Sequence, residues 1–126
     1  MHELSLSYAT VDLALESIAN LAVTRVNAVS VIAGELSGVS LEAFRFSFPI
    51  AAQGTLLEGC RLEIKVEAVT VFCPACQAIG TLSDIPSFRC PTCGAPTADV
   101  RSGKEFALQS IDIQTAEVSP DEYANR

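Results

Sequence analysis

A chain of 126 residues, 49% apolar and 18% charged, is long enough for one cooperative core and too apolar for wholesale disorder. Its formal charge of -7, from 15 acidic and 8 basic residues with no Lys/Arg cluster, excludes a surface that neutralises rows of phosphates, so nucleic acid is not an expected partner. No apolar run reaches the roughly 20 residues a bilayer helix needs, and the N-terminus has neither the basic patch nor the apolar stretch of a secretory signal; a cytosolic protein without membrane contact is expected.

In chain order, Leu4, Tyr8, Val11, Leu15, Ile18 and Ala22 recur at steps of four and three, predicting a helix over 4–22 with one apolar face. Asn27 reads as a breaker before a Val- and Ile-rich strand over 28–35, closed by Gly34 and the turn signal Ser37-Gly38. Ser40 reads as the cap of a second helix with Leu41, Phe44 and Phe48 on its apolar face. Pro49 removes a backbone donor, so this helix is expected to end near Phe48 or to kink before Gly54. Leu62, Ile64, Val66 and Ala68 alternate with Arg61, Glu63, Lys65 and Glu67, the pattern of a strand with one wet face. In the last strand, over 105–115, Phe106 and Leu108 fall on one phase and Ile111 and Ile113 on the other, which predicts a bulge near Gln109 or Ser110 or burial of both faces.

This order predicts an α+β fold: a small three-stranded sheet packed by two helices, with an inserted four-cysteine zinc loop. The expected division is a main α+β domain of residues 1–70 plus 102–116, a zinc-binding insertion of 71–101, and a flexible tail of 117–126.

Five cysteines in a chain expected in the cytosol point to metal or redox chemistry rather than to a disulfide scaffold. Cys73-Pro-Ala-Cys76 and Cys90-Pro-Thr-Cys93 form two C-x2-C knuckles. Each knuckle can present two thiolates to one ion while its backbone turns, and the second completes a tetrahedron. Gly94, directly after Cys93, tolerates the positive φ that lets a knuckle fold back. The intervening residues are too polar to fold alone, so metal supplies much of the local stability. Four cysteine ligands leave no open position for a catalytic water, which makes the site structural or regulatory. Iron in a rubredoxin-like site and a redox-active disulfide pair are the alternatives. Cys60 is left over and reads as a small buried hydrophobe.

His2 is the only histidine and stands beside the terminal amine of Met1, which is expected to be retained because His2 is too large for methionine removal. The Met1 amine, the His2 backbone nitrogen and a His2 ring nitrogen can chelate one metal as three nearly coplanar donors. Glu3 is a candidate for the fourth position. This set suits the square-planar preference of Ni(II) or Cu(II) better than the tetrahedral preference of zinc. The residues alone leave a merely solvated His2 as the alternative.

The opening Met-His-Glu-Leu-Ser-Leu, Gly34-Glu35-Leu36-Ser37-Gly38-Val39, Phe44-Arg45-Phe46-Ser47-Phe48, Gly54-Thr55 with Glu58-Gly59, the two knuckles and Ser102-Gly103-Lys104-Glu105 occur in the order seen in the HypA/HybF family. The resemblance runs from Met1 to about Ile113. It implies a nickel metallochaperone for [NiFe]-hydrogenase maturation, and in some bacteria for urease. Nickel would be served by Met1, His2 and Glu3 in the main domain, and zinc by Cys73, Cys76, Cys90 and Cys93. The implied partners are a HypB-type nucleotide-hydrolysing accessory protein and the hydrogenase large-subunit precursor, or urease accessory proteins; whether the chain forms a homodimer is left open. Histidines that some relatives carry beside the knuckles are missing here, and Pro49 and Cys60 also depart from the family pattern.

The competing reading is a zinc-ribbon protein-interaction module in which His2 is incidental. An enzyme is not expected, because the chain has neither an open metal position nor a Ser/His/Asp or Cys/His constellation.

Overall fold

The computed structural model describes residues 2–82 and 88–116. Met1 and the tail expected over 117–126 lie outside the described residues. The elements are α1 (His2–Ser17), β1 (Val23–Gly34), α2 (Leu41–Ala52), β2 (Arg61–Glu67), β3 (Thr70–Cys73), β4 (Ala78–Thr81), β5 (Val100–Ser102) and β6 (Phe106–Thr115). One three-stranded sheet has the order β2-β1-β6 and a second the order β4-β3-β5. The α+β class with two helices, a three-stranded sheet and a four-cysteine loop is as predicted; the second sheet was not anticipated.

Several local boundaries differ from the sequence reading, each for a physical reason. Helix α1 buries Ser7, Thr10, Val11 and Ala14, one step round from the expected stripe, while Tyr8 is 47% exposed. The Ser7 hydroxyl donates to the Glu3 carbonyl at 2.8 Å and that of Thr10 to the Leu6 carbonyl at 2.8 Å, so these small polar residues enter the core already satisfied. Strand β1 starts at Val23 rather than at residue 28, because Val23, Thr24 and Val26 are β-branched and Asn27 is carried along within a paired strand. Helix α2 runs past Pro49 to Ala52. Pro49 lies on the exposed face, while Ala51 and Ala52 continue the buried face. Strand β2 alternates as far as Lys65, after which Val66 turns outward at 53% exposure.

The chain forms two compact units: Met1–Val29 with Glu42–Leu62 and Ser110–Arg126, and Ser30–Leu41 with Glu63–Gln109. The first holds both helices. Val11, Ala14, Ile18, Val26, Ala28, Val29, Phe44, Phe48, Ala51, Ala52 and Leu57 are buried there, and the Phe44 and Phe48 rings meet at 5.9 Å in a tilted pair. The Ala116 amide donates to the Ala22 carbonyl at 2.9 Å, and the Thr24 hydroxyl to the Gln114 carbonyl at 3.1 Å.

The second unit has a small core of Val69, Val71 and Leu82, against which Leu36, Phe88 and Val100 pack. Its backbone is drawn together where the Leu36 amide donates to the Gly103 carbonyl, the Gly34 amide to the Glu105 carbonyl, both at 2.7 Å, and the Glu35 amide to the Glu67 carbonyl at 3.0 Å. The inward phase of β6 changes between Leu108 and Ile111, as the sequence predicts. The chain passes from the second unit back to the first within that interval, between Gln109 and Ser110.

Candidate metal centre

The first cysteine pair is the turn of a hairpin. β3 and β4 pair antiparallel with Phe72 opposite Ile79 and Cys73 opposite Ala78, which leaves residues 74–77 to reverse the chain. The Gln77 amide donates to the Cys73 carbonyl at 2.7 Å, and Gln77 takes a φ of 53°. The second knuckle repeats the device: the Gly94 amide donates to the Cys90 carbonyl at 2.9 Å with Gly94 at φ 78°. The expected role of Gly94 is therefore met, and Gln77 does the same work at the cost of a left-handed non-glycine conformation.

These turns gather Cys73, Cys76, Cys90 and Cys93 so that their sulfurs all lie within 4.8 Å of one another. Cys73 Sγ is 3.6 Å from Cys93 Sγ and Cys76 Sγ is 3.9 Å from Cys90 Sγ. Both distances are far beyond a disulfide bond of about 2.05 Å. They match the edge of a tetrahedron of sulfurs each about 2.3 Å from a central ion, which is about 3.8 Å. The donor set is soft and all-thiol, and it fits zinc, which favours four such ligands in a tetrahedron. Cys73 and Cys90 are buried, Cys76 and Cys93 exposed, so the cluster has one wall of protein and one of solvent.

The surroundings of the four thiols act on them unequally. Cys90 is lowered to about 6, first by the backbone N–H of Cys93 and then by that of Thr92, which points at its sulfur from 3.4 Å. Cys76 is pushed up to about 12, first by its hydrogen bond with Cys93 and then by desolvation. Amides aimed at sulfur are the outer support expected of a thiolate ion site.

Segment 95–99 runs between the knuckles. The Cys90 amide donates to the Ala95 carbonyl at 2.8 Å, the Thr97 amide to the Phe88 carbonyl at 2.9 Å, and the Phe72 amide to the Asp99 carbonyl at 2.8 Å. The Thr97 hydroxyl donates to the Phe72 carbonyl at 2.6 Å. Arg101 forks onto both Asp99 carboxylate oxygens at 2.8 Å and stacks 4.8 Å from the centre of the Phe72 ring. The Arg101 guanidinium holds the Asp99 carboxyl below its ordinary range. None of these side chains stood out in the sequence, since a lone threonine or an Asp-x-Arg carries no spacing signal.

Of the residues singled out at the N-terminus, His2 is exposed at the start of α1 and Glu3 lies in its first turn. Cys60 is partly buried in the first unit and is not one of the four clustered thiols; burial pushes its thiol up. No helix among the described residues is long and apolar enough to cross a membrane.

Comparison with known proteins places this geometry. Residues 1–113 match the family model described as "Hydrogenase/urease nickel incorporation, metallochaperone, hypA". The chain is 40% identical over 114 residues to the hydrogenase maturation factor HypA of Roseiflexus sp. (strain RS-1), covering 90% of this chain and 93% of that protein. It is 43% identical over 112 residues to the HypA of Chloroflexus aurantiacus (strain ATCC 29366 / DSM 635 / J-10-fl), covering 89% and 98%. The fold is similar to the solution structure of the Ni metallochaperone HypA from Helicobacter pylori, with a TM-score of 0.65 at 21% identity over 90% of this chain and 98% of that one. From the match over residues 1–113 and these identities, the chain belongs to the HypA family of hydrogenase maturation factors.

Proposed function

We propose that this protein carries Ni(II) on its Met1-His2-Glu3 terminus and hands it on during maturation of [NiFe]-hydrogenase, while Cys73, Cys76, Cys90 and Cys93 hold a structural zinc. The observation that carries the reading is the coincidence of a family match beginning at residue 1 with an exposed His2 at the head of α1. The first N–H groups of a helix have no intrahelical acceptor, so metal binding at the His2 amide breaks no helical hydrogen bond. The Glu3 carboxylate in the first turn adds negative charge beside the cation. An exposed square-planar site suits cargo that must be released; a four-thiol site with no open position suits an ion that stays.

The protein acts as a carrier and not as a catalyst. Its partners are a HypB-type nucleotide-hydrolysing accessory protein and the hydrogenase large-subunit precursor, with urease accessory proteins as a second destination. All five cysteines are unbridged, the state favoured in the reducing cytosol.

Calorimetric titration of nickel into zinc-loaded protein tests the reading, using untagged, N-terminally extended and His2→Ala chains at neutral pH. The untagged chain is expected to bind one Ni(II), and both altered chains to lose that site with zinc content unchanged. Equal nickel binding by all three would sink the N-terminal assignment.

A further inference from the structure

The buried thiol of each pair, Cys73 and Cys90, is the one whose preceding peptide plane is held by segment 95–99. A peptide unit is rigid and planar, so fixing the Phe72 carbonyl fixes the plane that delivers Cys73, and fixing the Cys90 amide fixes the plane that delivers Cys90. Thr97 holds the first plane through its hydroxyl on the Phe72 carbonyl at 2.6 Å. Its own amide holds the Phe88 carbonyl at 2.9 Å, on the approach to the second knuckle. Its Oγ1 also accepts from the Asp99 amide at 3.4 Å, and Asp99 returns a carbonyl to the Phe72 amide at 2.8 Å. Ala95 takes the Cys90 amide, and Arg89 and Pro96 form a bridge beside it. Thr97 is itself only 7% exposed. None of these bonds uses a sulfur or an ion.

We propose that Thr97 is a positioning residue for the four-cysteine site: its hydroxyl sets Cys73 in place before metal arrives, as Ala95 of the same segment does for Cys90, and slows the escape of the metal afterwards. The proposal rests on the reading of the four cysteines as metal ligands. Holding two ligands in advance removes part of the ordering cost of binding, because the ion then needs only to draw in the exposed Cys76 and Cys93. It also makes dissociation depend on breaking a buried hydrogen bond in addition to metal–sulfur bonds. A valine at 97 keeps the shape of threonine but strips the hydroxyl, leaving the Phe72 carbonyl without that donor.

The test measures zinc content and the rate of zinc transfer to a chromogenic chelator for wild type, Thr97→Ser, Thr97→Val and Thr70→Val. Thr70→Val is the control, since it removes a hydroxyl pairing with Ser102 at 2.7 Å on the same strand β3 but away from the cysteine peptide planes. Thr97→Val is expected to release zinc about tenfold faster, with Thr97→Ser and Thr70→Val near wild type. Release from Thr97→Val at the wild-type rate, or equal acceleration in Thr70→Val, overturns the positioning role. Wild-type protein purified without zinc would defeat the four-cysteine reading and the proposal with it; zinc-loaded wild type alongside an unaffected Thr97→Val defeats the proposal alone. Should Thr97→Val not fold, amide exchange in wild type decides. Protection at Phe72, Cys90 and Thr97 is expected to persist after zinc removal, and its disappearance would contradict the proposal.

Discussion

A Cβ on Gly34 would overlap the carbonyl of Gly103, and Gly103, at φ 98°, is in turn pressed against Val69, whose Cα would lie 2.8 Å from a Cβ there. Close backbone approach needs glycine on both sides, because neither neighbour is a flexible side chain that can withdraw. Gly34→Ala is therefore expected to destabilise the protein by at least about 1–3 kcal/mol. Gly38, at φ 76° in open space, is a control in which alanine meets only backbone strain, on the order of 1 kcal/mol. Urea unfolding of the two variants measures the difference; equal midpoints would show that the Gly34 contact relaxes freely.

Gln77 invites the opposite change. It occupies in the first knuckle the place Gly94 holds in the second, with φ 53° and its amide committed to Cys73. Gln77→Gly is expected to stabilise the metal site, by about 1 kcal/mol of relieved strain less the added freedom of the unfolded chain. A thermal melt followed at the zinc–thiolate absorption should shift upward by a few degrees, and a downward shift contradicts the strain argument.

Cys76→Ser replaces an exposed ligand and should lower zinc content well below one per chain. The tilted Phe44–Phe48 pair of the first unit should persist, since its core is built without the cysteines. Structural zinc supplies on the order of 10 kcal/mol in isolated zinc-finger peptides; the loss here should be smaller because segment 95–99 is tied to both knuckles by bonds that need no metal. Two-dimensional NMR separates the outcomes, and collapse of the Phe44 and Phe48 resonances would refute the independence of that core.

Asp99 sets a pH dependence with a definite sign. Its folded carboxyl titrates below the ordinary value of about 3.9, chiefly because Arg101 hydrogen-bonds to it. The unfolded chain then binds the proton first, so the contribution is full above about pH 4 and is lost as pH falls through the folded value. The stability gap between wild type and Asp99→Asn, both measured with a chelator present, should close as pH is lowered across that window. A gap that widens on acidification would show that Asp99 stabilises by some other means.

What the sequence disclosed and what it hid divide along recognisable lines. Leu41, Phe44 and Phe48 declare a helix because large apolar residues at steps of three and four line one face of a 3.6-residue turn and fit no strand period. The four cysteines declare their partnership by spacing alone. Val11 and Ile18 are buried as the spacing predicts, but the rest of the buried face of α1 is hidden because Ser7 and Thr10 count as polar in any periodicity, although each cancels its own polarity on the preceding turn. The sheet β4-β3-β5 went unseen because its strands are three or four residues long and are interrupted by knuckles. Thr97 was invisible for a different reason: its importance lies in which carbonyls it reaches, and no local pattern encodes that.

The interleaving of the two units bears on how the chain is made. During synthesis the segments of the second unit, with both cysteine pairs, have all been added once Gln109 is in place, whereas the first still lacks the strand segment of residues 110–115. A chain that has emerged as far as Gln109 holds all four clustered thiols, while the sheet β2-β1-β6 still lacks most of its last strand. Vectorial translation thus completes the segments of one unit before those of the other.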